Sequence, residues 1–161
     1  MERTIDDIDG SILELLQDNA RISQAEIARA VGLAPSAVLE RLRKLESRGA
    51  IRGYVTLVDP RVVQQPMLAF VAVQSEEGPG DDSVARALAA CPEVLEVHHV
   101  AGDDCYLLKV RARDAEHIGQ LPRHRFGCIP GVRSTRTTIV LETVKETPRL
   151  TLPHRMEPVR S

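Results

Sequence analysis

LAPSAVLERLRKLESRGAIRGY, residues 33–54, is the stretch on which the fold turns. Arg41, Arg43, Lys44, Arg48 and Arg52 crowd into residues 41–52 of it, although the whole chain of 161 residues carries a formal net charge of −2. Val38, Leu42 and Leu45 recur at helical spacing, Pro35 suits a first helical turn, and Gly49 suits a helix end. At 100° per residue, with Val38 facing a core, Leu42 and Leu45 fall within about 40° of it. Ser36, Glu40, Arg43 and Ser47 then point outward, with Ala37 and Lys44 on one flank. Arg41 lies nearer the core edge, where its stem can pack while its head reaches out.

Immediately upstream, Ser23 stands three residues before Glu26, the pattern of a capping box, and opens a short helix through Ile27 and Ala30. Gly32 suits the tight corner that follows. Further back, Ile5, Ile8, Ile12, Leu15 and Leu16 form one helical stripe that Asp18-Asn19 ends. Residues 1–50 therefore read as three helices, the last two joined by a very short turn: a helix-turn-helix. Downstream, IRGYVTLV (Ile51–Val58) reads as a strand of a winged-type unit, closed by Asp59-Pro60, with residues 51–66 as strand and linker.

Charge is sorted along this half. Residues 1–18 hold six acids and one base, a net of −5, whereas residues 41–52 hold five bases and one acid, a net of +4. A polyanion is steered toward the third helix and away from the first. Small Ser36 and Ala37 and the outward Glu40 suit close approach to base edges; Arg41, Arg43, Lys44, Arg48 and Arg52 suit phosphates. The bland alternative is a solvated amphipathic helix whose cations merely complement the dipole. The capped preceding helix, the tight turn and the following strand favour binding of double-stranded DNA.

Residues 67–147 change period. MLAFVAV is apolar without a break, as in a strand buried on both faces. DDSVARALAAC (Asp81–Cys91) repeats Val84, Ala87, Leu88 and Cys91 as a helix. Val94–Val100 and Cys105–Ala112 read as strands joined by Ala-Gly-Asp-Asp. AEHIGQL begins a second helix that Pro122 interrupts, and Val132–Val144 reads as a long final strand. The order β-α-β-β-α-β is the ferredoxin-like plan, so the chain is α+β. Helices cover one face of such a sheet, and the other, with no polar stripe on its first strand, calls for a second copy of the sheet; cover by the N-terminal domain is the alternative. Residues 148–161, with Pro148, Pro153 and Pro158, read as an extended or frayed tail.

Composition narrows the function classes. Aromatic residues make up 2% with no Trp, which argues against base-stacking platforms for single strands. The acidic MERTIDDIDG lacks the regions of a signal peptide. Met67–Val73, the longest apolar run, is far short of the ~20 residues needed to span a bilayer. Cys91, Cys105 and Cys128 are odd in number and widely spaced, as expected of reduced thiols. A cytoplasmic protein without membrane attachment is expected. His98 and His99 are adjacent on a strand and point to opposite faces, and His117, His124 and Cys128 fit no common zinc spacing. There is no glycine-rich phosphate loop, G-x-S-x-G or HExxH. No metal, no cofactor and no catalysis are expected.

ISQAEIARAVGLAPSAVLERLRKLESRGAIRGY followed by VDP resembles the DNA-binding half of the Lrp/AsnC (feast/famine) transcription regulators. The resemblance begins with IDDIDGSILELLQDNARIS and continues through VAGDDCYLLKV and GVRSTRTTIVLETVKET, over about residues 4–147. It implies a helix-turn-helix joined to a ferredoxin-like domain that dimerises, builds octamers or similar rings, and often binds an amino acid between copies. There are departures. Ala34 stands where the family usually has Ser, which removes the best N-cap oxygen. Ala101, Gly102, Asp103, Asp104 and Cys105 stand where the family reads Thr-Gly-x-Tyr-Asp, so a thiol replaces the final carboxylate and Asp103 or Asp104 must receive an ammonium group. Thr135 and Thr137 match family positions facing the effector pocket. The resemblance thus implies a sequence-specific regulator modulated by an amino acid or related small molecule. A ligand-independent, architectural DNA-binding regulator is the alternative, and a protein using its C-terminal sheet alone is a second.

Overall fold

The computed structural model describes residues 5–78 and 80–152. The described chain divides into two compact units, Met1–Leu57 with Glu146–Ser161, and Val58–Lys145.

The first unit contains α1 (Asp7–Asp18), α2 (Gln24–Val31) and α3 (Pro35–Ser47). Ile12 of α1, Ile27 and Ala28 of α2, and Val38, Leu42 and Leu45 of α3 form its buried core. The capping box expected at α2 is present: the Glu26 N–H donates to Ser23 Oγ at 3.2 Å and the Ser23 N–H donates to Glu26 Oε2 at 2.9 Å. Gly32 ends α2 at φ +69°, ψ +33°, a left-handed conformation that costs glycine little. Ala34 gives α3 no side-chain cap, and Pro35 supplies the preset φ of a first turn instead.

Residues 149–152 lie in the same unit. The Gln17 side-chain amide meets the Leu150 backbone twice, donating from Nε2 to the carbonyl at 3.1 Å and accepting from the N–H at 2.7 Å. Arg149 pairs with Asp18 beside it. Local sequence signals give no hint of this long-range strap. Pro153 and Pro158 of the expected tail lie outside the described residues.

The strand expected over Ile51–Val58 is not formed: residues 52–59 have no regular structure, and Val55 and Leu57 are 78% and 75% exposed. A strand needs a partner edge, and among the described residues no strand of this chain pairs with it. Its alternating residues are real, but one chain offers them nothing to pair with.

The second unit runs β1 (Met67–Ser75), α4 (Ser83–Ala89), β2 (Val94–His99), β3 (Tyr106–Ala112), α5 (Ala115–His124), a short 3-10 turn (Phe126–Cys128) and β4 (Val132–Ile139). The sheet order is β2-β3-β1-β4, antiparallel throughout, as the ferredoxin-like plan requires. Ala69, Val71 and Val73 of β1 and Tyr106, Leu108, Val110 and Ala112 of β3 face Val84, Leu88, Ile118, Leu121 and Phe126 in one core. β4 ends at Ile139, short of the expected Val144. Its last ladder partner is Ala69, with one further bond from the Val140 N–H to the Leu68 carbonyl at 2.9 Å, and β1 begins at Met67, so it offers no strand opposite residues 142–144. Pro122 sits inside the last turn of α5 without ending it before His124.

Glu77 stitches the start of α4 to the sheet. It accepts from Tyr106 Oη at 2.6 Å, Ser75 Oγ at 3.0 Å and the Val84 N–H at 2.8 Å. Burial pushes its carboxyl pKa up, but these three bonds outweigh burial and leave it below the ordinary value. The same bond, with burial, pushes the Tyr106 phenol up to about 12.

Leu108 is fully buried at the centre of this core. Leu108→Ala is expected to cost about 2–5 kcal/mol through lost burial and a residual cavity, read as a lower urea midpoint at unchanged slope; a loss under about 1 kcal/mol contradicts the core assignment.

Candidate nucleic-acid interface

With Val38, Leu42 and Leu45 turned inward, the opposite stripe of α3 faces solvent. Ser36, Glu40, Arg43, Lys44 and Ser47 are all exposed, and Ala37 is half-buried on the flank. Arg48 at the C-cap and Arg52 beyond it are also exposed. Glu40 is not a lone anion: Lys44 Nζ, one turn on, lies 2.7 Å from its carboxylate and holds its pKa below the ordinary range. Tyr54 Oη donates to Glu46 Oε1 at 3.0 Å and fastens the segment after α3 to that helix.

Arg41 stands apart from the other expected phosphate ligands. Its Nη1 donates to Asp6 Oδ2 and to Asp9 Oδ1, both at 2.7 Å. Its side chain is 29% exposed. Asp6 also caps α1, accepting from the Asp9 N–H through Oδ1 at 2.7 Å. That bond first, and then Arg41, holds the Asp6 carboxyl below its ordinary value, and the two acids raise the Arg41 guanidinium in turn. Sequence spacing put Arg41 near the core edge; the carboxylates that take its head come from a different helix and were not legible as partners.

In the second unit, the turn 101–105 is stapled to the sheet. Gln74 Nε2 donates to the Asp103 carbonyl at 3.1 Å, the Cys105 N–H donates to the Val73 carbonyl at 2.9 Å, and Arg136 Nη2 pairs with Asp104 Oδ2 at 2.6 Å. Ala101 and Gly102 are exposed at its tip. Cys105 lies against Ser75, whose N–H is 3.4 Å from its sulfur. Thr135 and Thr137 pair with Val73 and Val71, so they share the helix-covered face. Arg136 pairs with Ala72 and lies on the open face with the Asp104 carboxylate. Within one chain the structure therefore does not gather the two threonines and the acids around one point. Strand alternation puts consecutive residues 135, 136 and 137 on opposite faces, which separates them. Gln74 and Arg136 are the residues sequence reasoning missed there.

His98 Nε2 lies 3.0 Å from Glu96, and His99 stacks at a tilt on Tyr106 with ring centroids 5.3 Å apart. Among the described residues no group of three His, Cys, Asp or Glu could hold a metal ion, and no helix is long and apolar enough to cross a membrane. The three cysteines are free.

These two units match known families. Residues 5–52 match a winged helix-turn-helix DNA-binding model and residues 68–150 match the Lrp/AsnC ligand binding domain. The leucine-responsive regulatory protein of Escherichia coli K12 is 38% identical over 155 residues, 95% of this chain and 94% of its own. A transcriptional regulator of Neisseria meningitidis in complex with L-Met superposes with a TM-score of 0.85 at 30% identity, over 92% of this chain and 97% of that one. A feast or famine regulatory protein of M. tuberculosis complexed with L-methionine gives 0.85 at 35% identity, over 93% of this chain and 100% of that one. The architecture is that of a DNA-binding transcriptional regulator. The chain belongs to the Lrp/AsnC family.

A depressed carboxylate pKa contributes stability that is full above its unfolded value, about 3.9 for Asp, and is lost as pH falls through the folded value. Asp6→Ala is expected to lower stability by about 1 kcal/mol at neutral pH, the usual worth of an N-cap. In thermal melts this gap to the unsubstituted protein narrows as pH drops below 4; a gap constant with pH contradicts the role given to the ionised Asp6.

Proposed function

We propose that the exposed stripe of α3 is the surface that reads DNA. The observation that carries this is the exposure of Ser36, Glu40, Arg43 and Lys44 directly over the buried Val38, Leu42 and Leu45 of a helix-turn-helix. Ser36, Ala37 and Glu40 approach base edges in the major groove, while Arg43, Lys44, Arg48 and Arg52 take phosphates. Two copies place their α3 helices in successive grooves, about 34–36 Å apart, on a near-palindromic site.

The copies are held together through their sheets. On the face not covered by helices, Phe70 is 37% exposed and Leu107 half-buried, beside Leu68 and Ala72, which the single chain already buries. An apolar strip of this kind is stabilised by burial against a like surface. The exposed Val55 and Leu57 are further apolar surface for a partner copy, and dimers built in this way associate into an octamer or similar ring. The protein works in the cytoplasm, where its DNA is.

The effector we assign is an amino acid, supported by the L-methionine complexes of the two structural relatives and by the leucine-responsive relative. Asp103 and Asp104 receive the ammonium group, with the Gly102 backbone close by. Because Thr135 and Thr137 lie on the opposite face from Arg136, a pocket that uses them takes a wall from another copy. Its coupling to DNA affinity is of the modest size usual for allostery, about 1–3 kcal/mol.

Two measurements test this. On a duplex selected from a random pool, Arg43→Ala and Lys44→Ala are each expected to weaken binding and to flatten the dependence of log K on log salt by about 0.9 per lost phosphate contact; unchanged affinity and slope reject the face. Calorimetric titration with L-methionine and L-leucine is expected to give saturable heat that Asp104→Ala abolishes. Silence across all twenty amino acids establishes the ligand-independent regulator instead.

A further inference from the structure

We propose that Arg41 is a positioning residue for DNA recognition, one that clamps Asp6 and Asp9 beside the reading face of α3 and offsets part of their charge instead of contacting phosphate. This rests on the reading of α3 as the DNA-facing helix.

The charge map poses a problem for that reading. Residues 1–18 have a net charge of −5 and residues 41–52 a net charge of +4, and the fold packs the helices that carry them together. The start of α1 brings two carboxylates to α3 itself. Asp6, Asp9, Ala37, Glu40, Lys44 and Arg48 line one cleft of about 360 Å³ around Arg41. Ala37, Glu40, Lys44 and Arg48 are among the residues assigned to bases and phosphates. Charges a few ångströms from a bound phosphate lie within the Debye length of about 8 Å at physiological salt, so the acids are not screened away by solvent ions.

Arg41 is placed to reduce that repulsion. One nitrogen, Nη1, holds a carboxylate oxygen of each acid at 2.7 Å. Asp9 is 14% exposed, so it is poorly compensated by water alone. Asp6 is held twice, by Arg41 and by its bond to the first turn of α1. The clamp therefore fixes the start of α1 against the middle of α3 while offsetting one of the two negative charges where the polyanion arrives. Reaching a phosphate requires Arg41 to abandon two charge-assisted hydrogen bonds and expose both acids to DNA. Arg43, Lys44, Arg48 and Arg52 carry no such double engagement among the bonds described above.

A mutant cycle on the full-length protein, with a duplex selected by the unsubstituted protein, tests this. Arg41→Ala is expected to weaken binding at least tenfold while leaving the salt slope within about 0.3, since no phosphate contact is lost. Asp6→Asn with Asp9→Asn is expected to bind at least as tightly as the unsubstituted protein. In that background Arg41→Ala is expected to cost no more than about threefold. Far-UV circular dichroism and melting of every variant separate binding loss from unfolding, and Arg41→Gln, which keeps most of the stem, replaces Arg41→Ala if the latter does not fold. An equal loss in both backgrounds with a slope flatter by about 0.9 makes Arg41 a phosphate ligand and overturns the proposal. No loss from Arg41→Ala overturns it also. If the unsubstituted protein itself ignores duplexes, it is the assignment of α3 that fails.

Discussion

Three inward side chains of α3, Val38, Leu42 and Leu45, dictate what its other face can do. Each is buried against Ile12 and Ile27, so the rotation of the helix about its axis is set by hydrophobic packing. Burying such side chains stabilises by about 1.5–3 kcal/mol each, more than any exposed ion pair on the helix is worth. The left-handed Gly32 turns the chain sharply enough for α2 and α3 to share that core. With the inner stripe fixed, Ser36, Glu40, Arg43 and Lys44 have no place except outside. The reading face follows from the core.

Electrostatics then refines what packing has placed. A chain of net charge −2 presents a local cationic surface because acids and bases occupy different helices. That separation brings its own hazard, for the acidic start of α1 lies against the cationic α3. The Asp6–Arg41–Asp9 clamp meets it with a guanidinium, whose charge is permanent and whose planar head can serve two carboxylates. Glu40 and Lys44 show the same compensation one turn of helix away.

The second unit solves a different problem. Its sheet buries one face under α4 and α5; on the other, Leu68 and Ala72 are buried within the chain while Phe70 and Leu107 stay partly exposed beside charged Arg136. A surface of that kind is unremarkable in an assembly and poorly stabilised in an isolated chain. The unpaired, apolar segment 52–59 has the same character. Both features fit the assembly of copies proposed above.

Much of this was legible in the residues alone. Helical stripes, the Ser23–Glu26 box, Gly32 and the β-α-β-β-α-β order are local signals, governed by neighbours within a few positions, and each element they imply appears except the strand at 51–58. That strand failed because alternation describes which face a strand would bury, while pairing depends on an edge elsewhere. Similarly, β4 stops near the place where its partner β1 itself begins, at Met67. The sequence by itself determined the two-unit architecture, the inner and outer stripes of α3 and the sorting of charge, because these depend on periodicity and composition. Only the tertiary structure decided that Arg41 is engaged by Asp6 and Asp9, that Gln17 and Asp18 hold Leu150 and Arg149, and that Thr135 and Thr137 lie on the other side of the sheet from Arg136. Those outcomes depend on which distant groups meet in space, and no local periodicity encodes them.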